Sequence, residues 1–173
     1  MINIFFILDR LTRASPLLIY LYMFLNYVLL GQKKYLLLSI ILFGSDICNH
    51  ILKEYVFRPL MGNEKFPLLG HGTRPNTKDC GLFCTGKESK SYGMPSGHAQ
   101  IICFFVTYWI LEIVNTTDRK YINKLFSIVI LLASAFLVMY SRVYWAKCHT
   151  IQQVSVGGTI GICLGLLFYT KMN

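Results

Sequence analysis

The sequence predicts an all-α fold, an integral-membrane bundle of about five transmembrane helices. The first observation is composition: 54% of the 173 residues are hydrophobic and only 14% are charged, with a mean hydropathy of +0.50, which is too apolar for an ordinary soluble domain. The second is a set of apolar stretches of roughly 16–20 residues, close to the length that crosses a bilayer. These stretches lack the polar stripe at helical spacing that a soluble bundle needs. The predicted spans cover 14–30, 35–52, 97–114, 125–142 and 152–169.

The segments around the first two spans complete the predicted organisation of one membrane domain, 1–173. Segment 1–13 is apolar at its start but lacks the basic region and cleavage site of a signal peptide, so we expect it to lie at the membrane interface. The short turn 31–34 joins the first two spans into a helical hairpin. Segment 53–97, rich in proline and glycine, is predicted to be a long loop between the second and third spans. A loop of this length in a compact protein is usually functional.

Alternation of the spans places the ends that carry most polar side chains on one face of the membrane. The short connections on the opposite face carry Lys33, Lys34, Arg119, Lys120 and Lys124. Basic residues in short loops are typical of the cytoplasmic side, so we expect the polar face to point away from the cytosol. The net charge of +9 resides mainly in loops between apolar segments. This pattern favours anionic headgroups or an anionic substrate, and no nucleic-acid partner is predicted.

The tetrapeptide Pro95–His98 stands where the long loop enters the third span. The unpaired N–H groups and positive end of a helix favour phosphate. Ser96 is suited to cap the helix or to bind phosphate, Gly97 lets an oxyanion approach its amide, and His98 supplies a titratable proton.

A second cluster of polar residues opens the last span. His149 is followed four residues later by Gln153, whose side chain is expected to hold one imidazole nitrogen and direct the other at a substrate. Two histidines on one face suggest phosphoryl transfer through a covalent intermediate. The same helix continues with Gly157, Gly161 and Gly165. Small residues at this spacing indicate close helix packing or, as the alternative, a groove for a lipid tail.

Lys53 ends a polar face of the second span. The face is formed by Asp46, Asn49, His50 and Lys53, which recur at helical steps. Ionisable residues at membrane depth usually point to a cavity or a bundle interior. The alternative is that Lys53 extends to the interface while Asp46 bonds neighbouring helices.

Together, Tyr92–His98 and Ser141–Arg142 with His149–Gln153 resemble the type 2 phosphatidic acid phosphatase superfamily of membrane phosphatases, and most closely its dolichyl-diphosphatase-like branch. That family combines three motifs: a lysine separated by six residues from an arginine–proline pair, then Pro-Ser-Gly-His, then Ser-Arg separated by five residues from a histidine, which is separated by three residues from an aspartate. The resemblance implies that His149 is the nucleophile, which forms a phosphohistidine, and that His98 is the general acid. It further implies that the phosphoryl oxygens are bound by Lys53, a first-motif arginine, Ser96, Gly97 and Arg142, with no metal and no other cofactor.

Three departures from the family pattern leave questions open. Lys53 is followed by Arg58 after four residues, so either Arg58 or Arg74 is expected to fill the arginine role, with a preference for Arg74 because glycines flank it. Six residues instead of five separate Arg142 from His149. Gln153 stands in place of the aspartate, as in the dolichyl-diphosphatase branch.

The predicted function is hydrolysis of a membrane lipid phosphate or a polyprenyl (dolichyl) diphosphate within the bilayer. The alternative is a catalytically impaired membrane protein that retains a site for phosphate or lipid headgroups. Three cysteines, Cys80, Cys84 and Cys148, lie on the polar face, where a disulfide is possible if that side is oxidising, although the sequence does not give its connectivity.

Overall fold

The computed structural model describes residues 4–76, 80–83, 88–89, 91–116 and 120–172. Within this part of the chain, five helices are long and apolar enough to cross a membrane, as predicted. They are α1 (Ile4–Leu30), α2 (Lys33–Met61), α3 (Gly97–Asn115), α4 (Tyr121–Trp145) and α5 (Ile151–Met172). A two-residue antiparallel hairpin, β1 (Lys65–Phe66) and β2 (Gly70–His71), lies in the long connection.

The structure differs from the predicted element bounds at two places. Helix α1 runs without a break from Ile4 to Leu30, across the boundary predicted at residue 13. Helix α2 does not end near residue 53, because a π-helical turn, Leu52–Phe57, and a last α-helical turn, Arg58–Met61, continue it. Pro59 is tolerated in this extension because it stands at the start of the last turn. Lys53 is therefore a helical residue, and the loop begins at Gly62 instead of 53.

Helix α3 is the centre of the bundle. Half of its apolar window is buried, against 11% for that of α4, and its most extensive contacts are with α5. At Gly157, Gly161 and Gly165 a Cβ atom would collide with the α3 backbone or its N-cap, at Ser96, Gln100 and Phe104 respectively. The small residues therefore serve close helix packing, and the alternative of a lipid-tail groove along them is wrong.

Polar side chains tie the other helices together inside the apolar bundle. Tyr20 Oη of α1 donates to Asp46 Oδ2 of α2 at 2.9 Å. Asn49 Nδ2 donates to Gln100 Oε1 at 2.8 Å, and Gln100 Nε2 donates to the carbonyl and hydroxyl of Ser45. Asp46 thus bonds a neighbouring helix, as one of the two alternatives expected. The outward faces carry exposed apolar side chains, as expected of a surface that contacts lipid; examples are Leu29, Phe43, Phe126 and Phe136.

The long loop folds back over one end of the bundle. A disulfide joins Cys80 to Cys148, just ahead of α5. Tyr92 Oη donates to the Gly62 carbonyl at 2.7 Å, and Ser96 N donates to the Gln153 carbonyl at 3.0 Å. The expected site residues of the loop are therefore held against the start of α5. Cys84 lies outside the described residues.

Candidate active site

His149 is buried at the entrance to α5, with 3% of its surface exposed. Its Nδ1 lies 3.0 Å from Gln153 Oε1 and its Nε2 lies 3.1 Å from an Arg74 guanidinium nitrogen. An amide oxygen only accepts and a guanidinium only donates. Nδ1 therefore carries the hydrogen, and Nε2 presents a lone pair.

Charge and burial keep this imidazole neutral. Burial is the main cause that lowers the pKa of His149 well below its ordinary value, and the positive charges of Arg74, Arg142 and Lys53 lower it further. The hydrogen bond with Gln153 acts in the opposite direction but is the smallest influence. A neutral imidazole with a free lone pair is the form that can attack phosphorus.

The orientation of the Gln153 amide is fixed by its neighbours. Gln153 Nε2 donates to the carbonyls of His71 and Thr73 at 2.8 and 2.7 Å. Its oxygen must then point towards His149, where it also receives the backbone N–H of Thr150 at 3.4 Å. One fully buried side chain thus ties the loop to the histidine that follows the disulfide.

The structure brings Arg74, and not Arg58, to His149. Arg74 donates through Nε to the Ser91 carbonyl at 3.0 Å and through a terminal nitrogen to Ser91 Oγ at 2.7 Å. Burial lowers the pKa of Arg74, but an arginine stays charged in proteins. Arg58 instead pairs with Glu54 on the exposed surface.

Lys53 and Arg142 add two more cations to the site. Lys53 is 8% exposed and Arg142 is 1% exposed. One Arg142 guanidinium nitrogen donates to the Cys80 carbonyl at 3.2 Å. Among the described residues, no carboxylate lies within ion-pair distance of Lys53 or Arg74. Buried cations without a paired carboxylate favour binding of an anion.

Ser96 and His98 lie at the N-terminus of α3. Ser96 Oγ is fully buried and has no hydrogen-bond partner in the described part of the chain. An unsatisfied buried hydroxyl is costly unless a ligand supplies the partner. At Gly97, a Cβ would lie 3.2 Å from Asn49 Oδ1, so a larger residue would crowd the helix entrance. His98 is half-buried, and its Nε2 lies 3.0 Å from the carbonyl oxygen of Arg13 in α1.

The same cations that act on His149 also interact electrostatically with His98, namely Arg142, Lys53 and Arg74. The two imidazoles therefore belong to one end of the bundle. A cavity of about 250 Å³ is lined by His71, Thr73, Arg74, Pro75 and Thr150, and Arg74 connects it to His149. No group of three His, Cys, Asp or Glu side chains suited to a metal ion occurs among the described residues.

Two contributions to this site were not predicted from the sequence. Arg13 falls in the segment that the sequence predicts to be interfacial. Its only local signal is a position one helical turn after Asp9, which suggests an ion pair, and the structure contains that pair at 2.8 Å. Gln100 follows His98 by two residues, and no local signal indicates that it bonds Asn49 and Ser45 beneath the site.

The sequence model of the PAP2 superfamily matches residues 33–173. Dolichyldiphosphatase 1 of Dictyostelium discoideum is 40% identical over 84 residues, which cover 47% of this chain and 36% of that protein. Dolichyldiphosphatase 1 of Mus musculus is 38% identical over 99 residues, 53% of this chain and 41% of that protein. Dolichyldiphosphatase of Saccharomyces cerevisiae is 30% identical over 135 residues, 75% of this chain and 49% of that protein.

The chain therefore spans less than half the length of these curated relatives. No solved structure matches it. The family match begins at the first residue of α2 and includes every helix that follows. Family match and relatives agree with the motif-based expectation, and we conclude that the chain belongs to the PAP2 superfamily, with its matched relatives in the dolichyl-diphosphatase-like branch.

Proposed function

We propose that this chain is a membrane phosphatase that removes a phosphate from a lipid phosphate or a polyprenyl diphosphate. The observation that carries the proposal is a buried, neutral His149 whose Nε2 lone pair faces Arg74. Membership of the PAP2 superfamily and the names of the relatives support the same chemistry. The relatives' name makes dolichyl diphosphate the first substrate to test.

The cations and the α3 entrance bind the phosphate that is transferred. Lys53, Arg74 and Arg142 neutralise its oxygens, while Ser96 Oγ and the Gly97 amide donate hydrogen bonds. In the free protein Arg74 covers Nε2 of His149. A phosphoryl oxygen draws the guanidinium away from the ring, and the lone pair is then free to attack.

The first chemical step transfers the phosphoryl group to the protein. Nε2 of His149 forms a bond to phosphorus, the bond to the leaving oxygen breaks, and protonated His98 gives its proton to that oxygen. The Gln153 carbonyl oxygen holds the remaining N–H of the phosphorylated ring.

The second step restores the histidine. Neutral His98 takes a proton from water as the oxygen attacks phosphorus, and the electron pair of the P–N bond returns to Nε2 of His149. Phosphate leaves and His98 is again protonated. The positive charge that stabilises both transition states comes from protein side chains, so we propose that turnover needs no metal ion.

We also propose that the site faces away from the cytosol. The connections at the other end carry Lys33, Lys34 and Lys120, which favours the cytoplasm for that end. The disulfide between Cys80 and Cys148 lies at the site's end, and disulfides persist in oxidising compartments.

Trapping of the covalent intermediate tests the proposal. Terminally radiolabelled dolichyl diphosphate is added to the purified protein in EDTA, and acid-labile, base-stable label on the protein is measured. We expect labelling in the unsubstituted chain and in His98→Ala, and none in His149→Ala, which should also lose turnover by about 10³-fold or more. His50→Ala is the matched control, because His50 is exposed.

Three results together would contradict the enzyme assignment: the protein takes no label, it releases no phosphate from any lipid phosphate, and His149→Ala leaves its phosphate affinity unchanged. That outcome supports the alternative of a headgroup-binding protein. Activity that disappears in EDTA and returns with a divalent cation contradicts metal independence alone.

A further inference from the structure

The first helix, which precedes the family match at 33–173, contributes a backbone atom to the site. The Nε2 atom of His98 lies 3.0 Å from the carbonyl oxygen of Arg13. A carbonyl oxygen has no hydrogen to give, so His98 Nε2 must be the donor. We propose that α1 locks His98 in its Nε2–H tautomer, and that Nδ1 is the nitrogen that carries the transferred proton.

Pro16 lies inside α1, three residues after Arg13. Pro16 has no N–H, so the Thr12 carbonyl lacks its helical donor and instead accepts the Ser15 hydroxyl at 2.8 Å. A proline opens the turn on this side of a helix. The Arg13 carbonyl is the next one along the helix, and its oxygen has two lone pairs, so one of them is available to accept from His98.

The position of that carbonyl is fixed by its own side chain. Arg13 is 7% exposed. Its Nε pairs with Asp9 Oδ2 at 2.8 Å, and a terminal nitrogen donates to the Gly81 carbonyl at 3.4 Å. Gly81 adjoins the disulfide-bonded Cys80. The Arg13 side chain thus joins helix α1 to the loop that covers the site, and these contacts hold the Arg13 carbonyl in place.

The two histidines are consequently held in opposite tautomers. His149 keeps its hydrogen on Nδ1, bonded to Gln153, and presents Nε2. His98 keeps its hydrogen on Nε2, bonded to Arg13, and presents Nδ1. One ring therefore offers a lone pair for attack while the other offers a titrating nitrogen, and neither has to exchange tautomers during turnover.

The acid step follows from this assignment and rests on the proposed function. Protonated His98 breaks its Nδ1–H bond, the leaving oxygen gains the proton, and the electron pair stays on Nδ1. The Nε2–H bond to Arg13 is kept throughout. That bond is charge-assisted while the ring is protonated, so the carbonyl stabilises the acid form before transfer. Arg13 is accordingly a positioning residue that acts through its backbone.

Nitrogen NMR tests the tautomers without any need for turnover. Long-range ¹H–¹⁵N spectra are recorded on the chain labelled with ¹⁵N-histidine in detergent micelles, at alkaline pH where imidazoles are neutral. Signals that disappear in His98→Gln belong to His98, and we expect them to show a single Nε2–H tautomer. Signals that disappear in His149→Gln belong to His149, and we expect them to show a single Nδ1–H tautomer. An Nδ1–H pattern for His98, or an exchange average like that expected of exposed His50 and His71, overturns the proposal.

An ester substitution tests the carbonyl itself. Replacing Ala14 by its α-hydroxy acid makes the Arg13 carbonyl an ester carbonyl, which is a weaker acceptor. The matched control is the same replacement at Leu18, which alters an exposed part of α1. We expect the ester at Ala14 to lower kcat about 10-fold relative to the control, with KM unchanged, and to mix the His98 tautomers. Equal effects of the two esters overturn the proposal.

The two proposals fail in distinguishable ways. A protein that hydrolyses no lipid phosphate but shows the expected tautomers contradicts the proposed function and leaves the tautomer assignment intact. A protein that forms the phosphohistidine but shows the opposite His98 tautomer contradicts only the role of α1.

Discussion

At the scale of single residues, Gln153 decides how the loop and His149 are joined. Its N–H₂ group serves two loop carbonyls, those of His71 and Thr73, and its oxygen serves His149. A carboxylate has no hydrogen for the two carbonyls and would face them with negative charge. An amide is therefore required here for the loop contacts, although a carboxylate would stabilise an imidazolium better.

We expect Gln153→Glu to lower kcat by about 10- to 100-fold, because two hydrogen bonds to the loop are lost. Steady-state release of phosphate from dolichyl diphosphate measures the effect. Gln152→Glu is the control, since it makes the same charge change at an exposed neighbour. Full activity of Gln153→Glu would show that the loop contacts are dispensable.

The pH dependence of kcat/KM should report the environment of His149. Burial and three cations lower the pKa of His149, so the neutral nucleophile persists as the pH falls below the ordinary histidine value, about 6.5. We expect the acid limb of the kcat/KM profile, which reports protonation of His149, to have its midpoint below that value. In Arg74→Gln a positive charge is removed, the imidazolium becomes easier to form, and this limb should move to higher pH.

The maximal rate of Arg74→Gln will also fall, because Arg74 binds phosphate in the proposed mechanism, so the comparison uses the midpoint of the limb and not its height. Arg58→Gln is the matched control, since Arg58 is exposed and paired with Glu54. A limb that does not move in Arg74→Gln would argue against electrostatic control of the nucleophile.

Short motifs indicated His98 and His149, because their neighbours in the sequence already suggest a phosphate site. The contact of Arg74 with His149 spans 75 positions. The local sequence offers Arg58 as well as Arg74 for the first-motif arginine, and only the glycines near Arg74 favour it. The Arg13 carbonyl could not be predicted, since a backbone acceptor leaves no trace in residue type.

At the scale of helices, the contact between α3 and α5 determines the shape of the bundle. The spacing of Gly157, Gly161 and Gly165 predicted a close contact but not its partner, because the alternative was a lipid. The structure supplies the α3 backbone as that partner. The sequence predicts too early an end for α2, since a charged Lys53 and a proline six residues later suggest a loop. In the structure Lys53 lies in the π-helical turn Leu52–Phe57, and Pro59 lies in the α-helical turn Arg58–Met61 that follows it.

We expect Gly161→Ala to lower the free energy of unfolding by about 1–3 kcal/mol, because the new methyl would overlap the Gln100 carbonyl. Thermal unfolding in detergent measures it. Gly44→Ala is the control, as a Cβ there meets no atom within 4 Å. Equal melting temperatures of the two variants would contradict the packing of α5 on α3.

At the scale of the whole molecule, the two ends of the bundle differ in chemistry. One end holds the buried Lys53 and Arg142, the two site histidines His98 and His149, and the disulfide. The other carries Lys34 paired with Glu112 at 2.9 Å and further lysines near the short connections. The number of helices and the end of the bundle with the polar residues followed from hydropathy and alternation, because both depend only on segment length and order.

Labelling of introduced cysteines should show which end faces the cytosol. In sealed vesicles with the cytoplasmic face outward, we expect a membrane-impermeant maleimide to label Lys120→Cys at once and Glu88→Cys only after detergent, since both positions are exposed and lie at opposite ends. The unsubstituted chain gives the background from native thiols. Immediate labelling of Glu88→Cys with protection of Lys120→Cys would reverse the proposed orientation.

The phosphate site proposed at Lys53, Arg142 and Ser96, all three buried, has a consequence for turnover. In the proposed mechanism these residues bind the phosphoryl oxygens, which free orthophosphate also carries, so we expect orthophosphate to bind at the same site. The released product is then a competitor for the next substrate molecule. We therefore expect turnover to slow as free phosphate accumulates on the side of the membrane that the site faces.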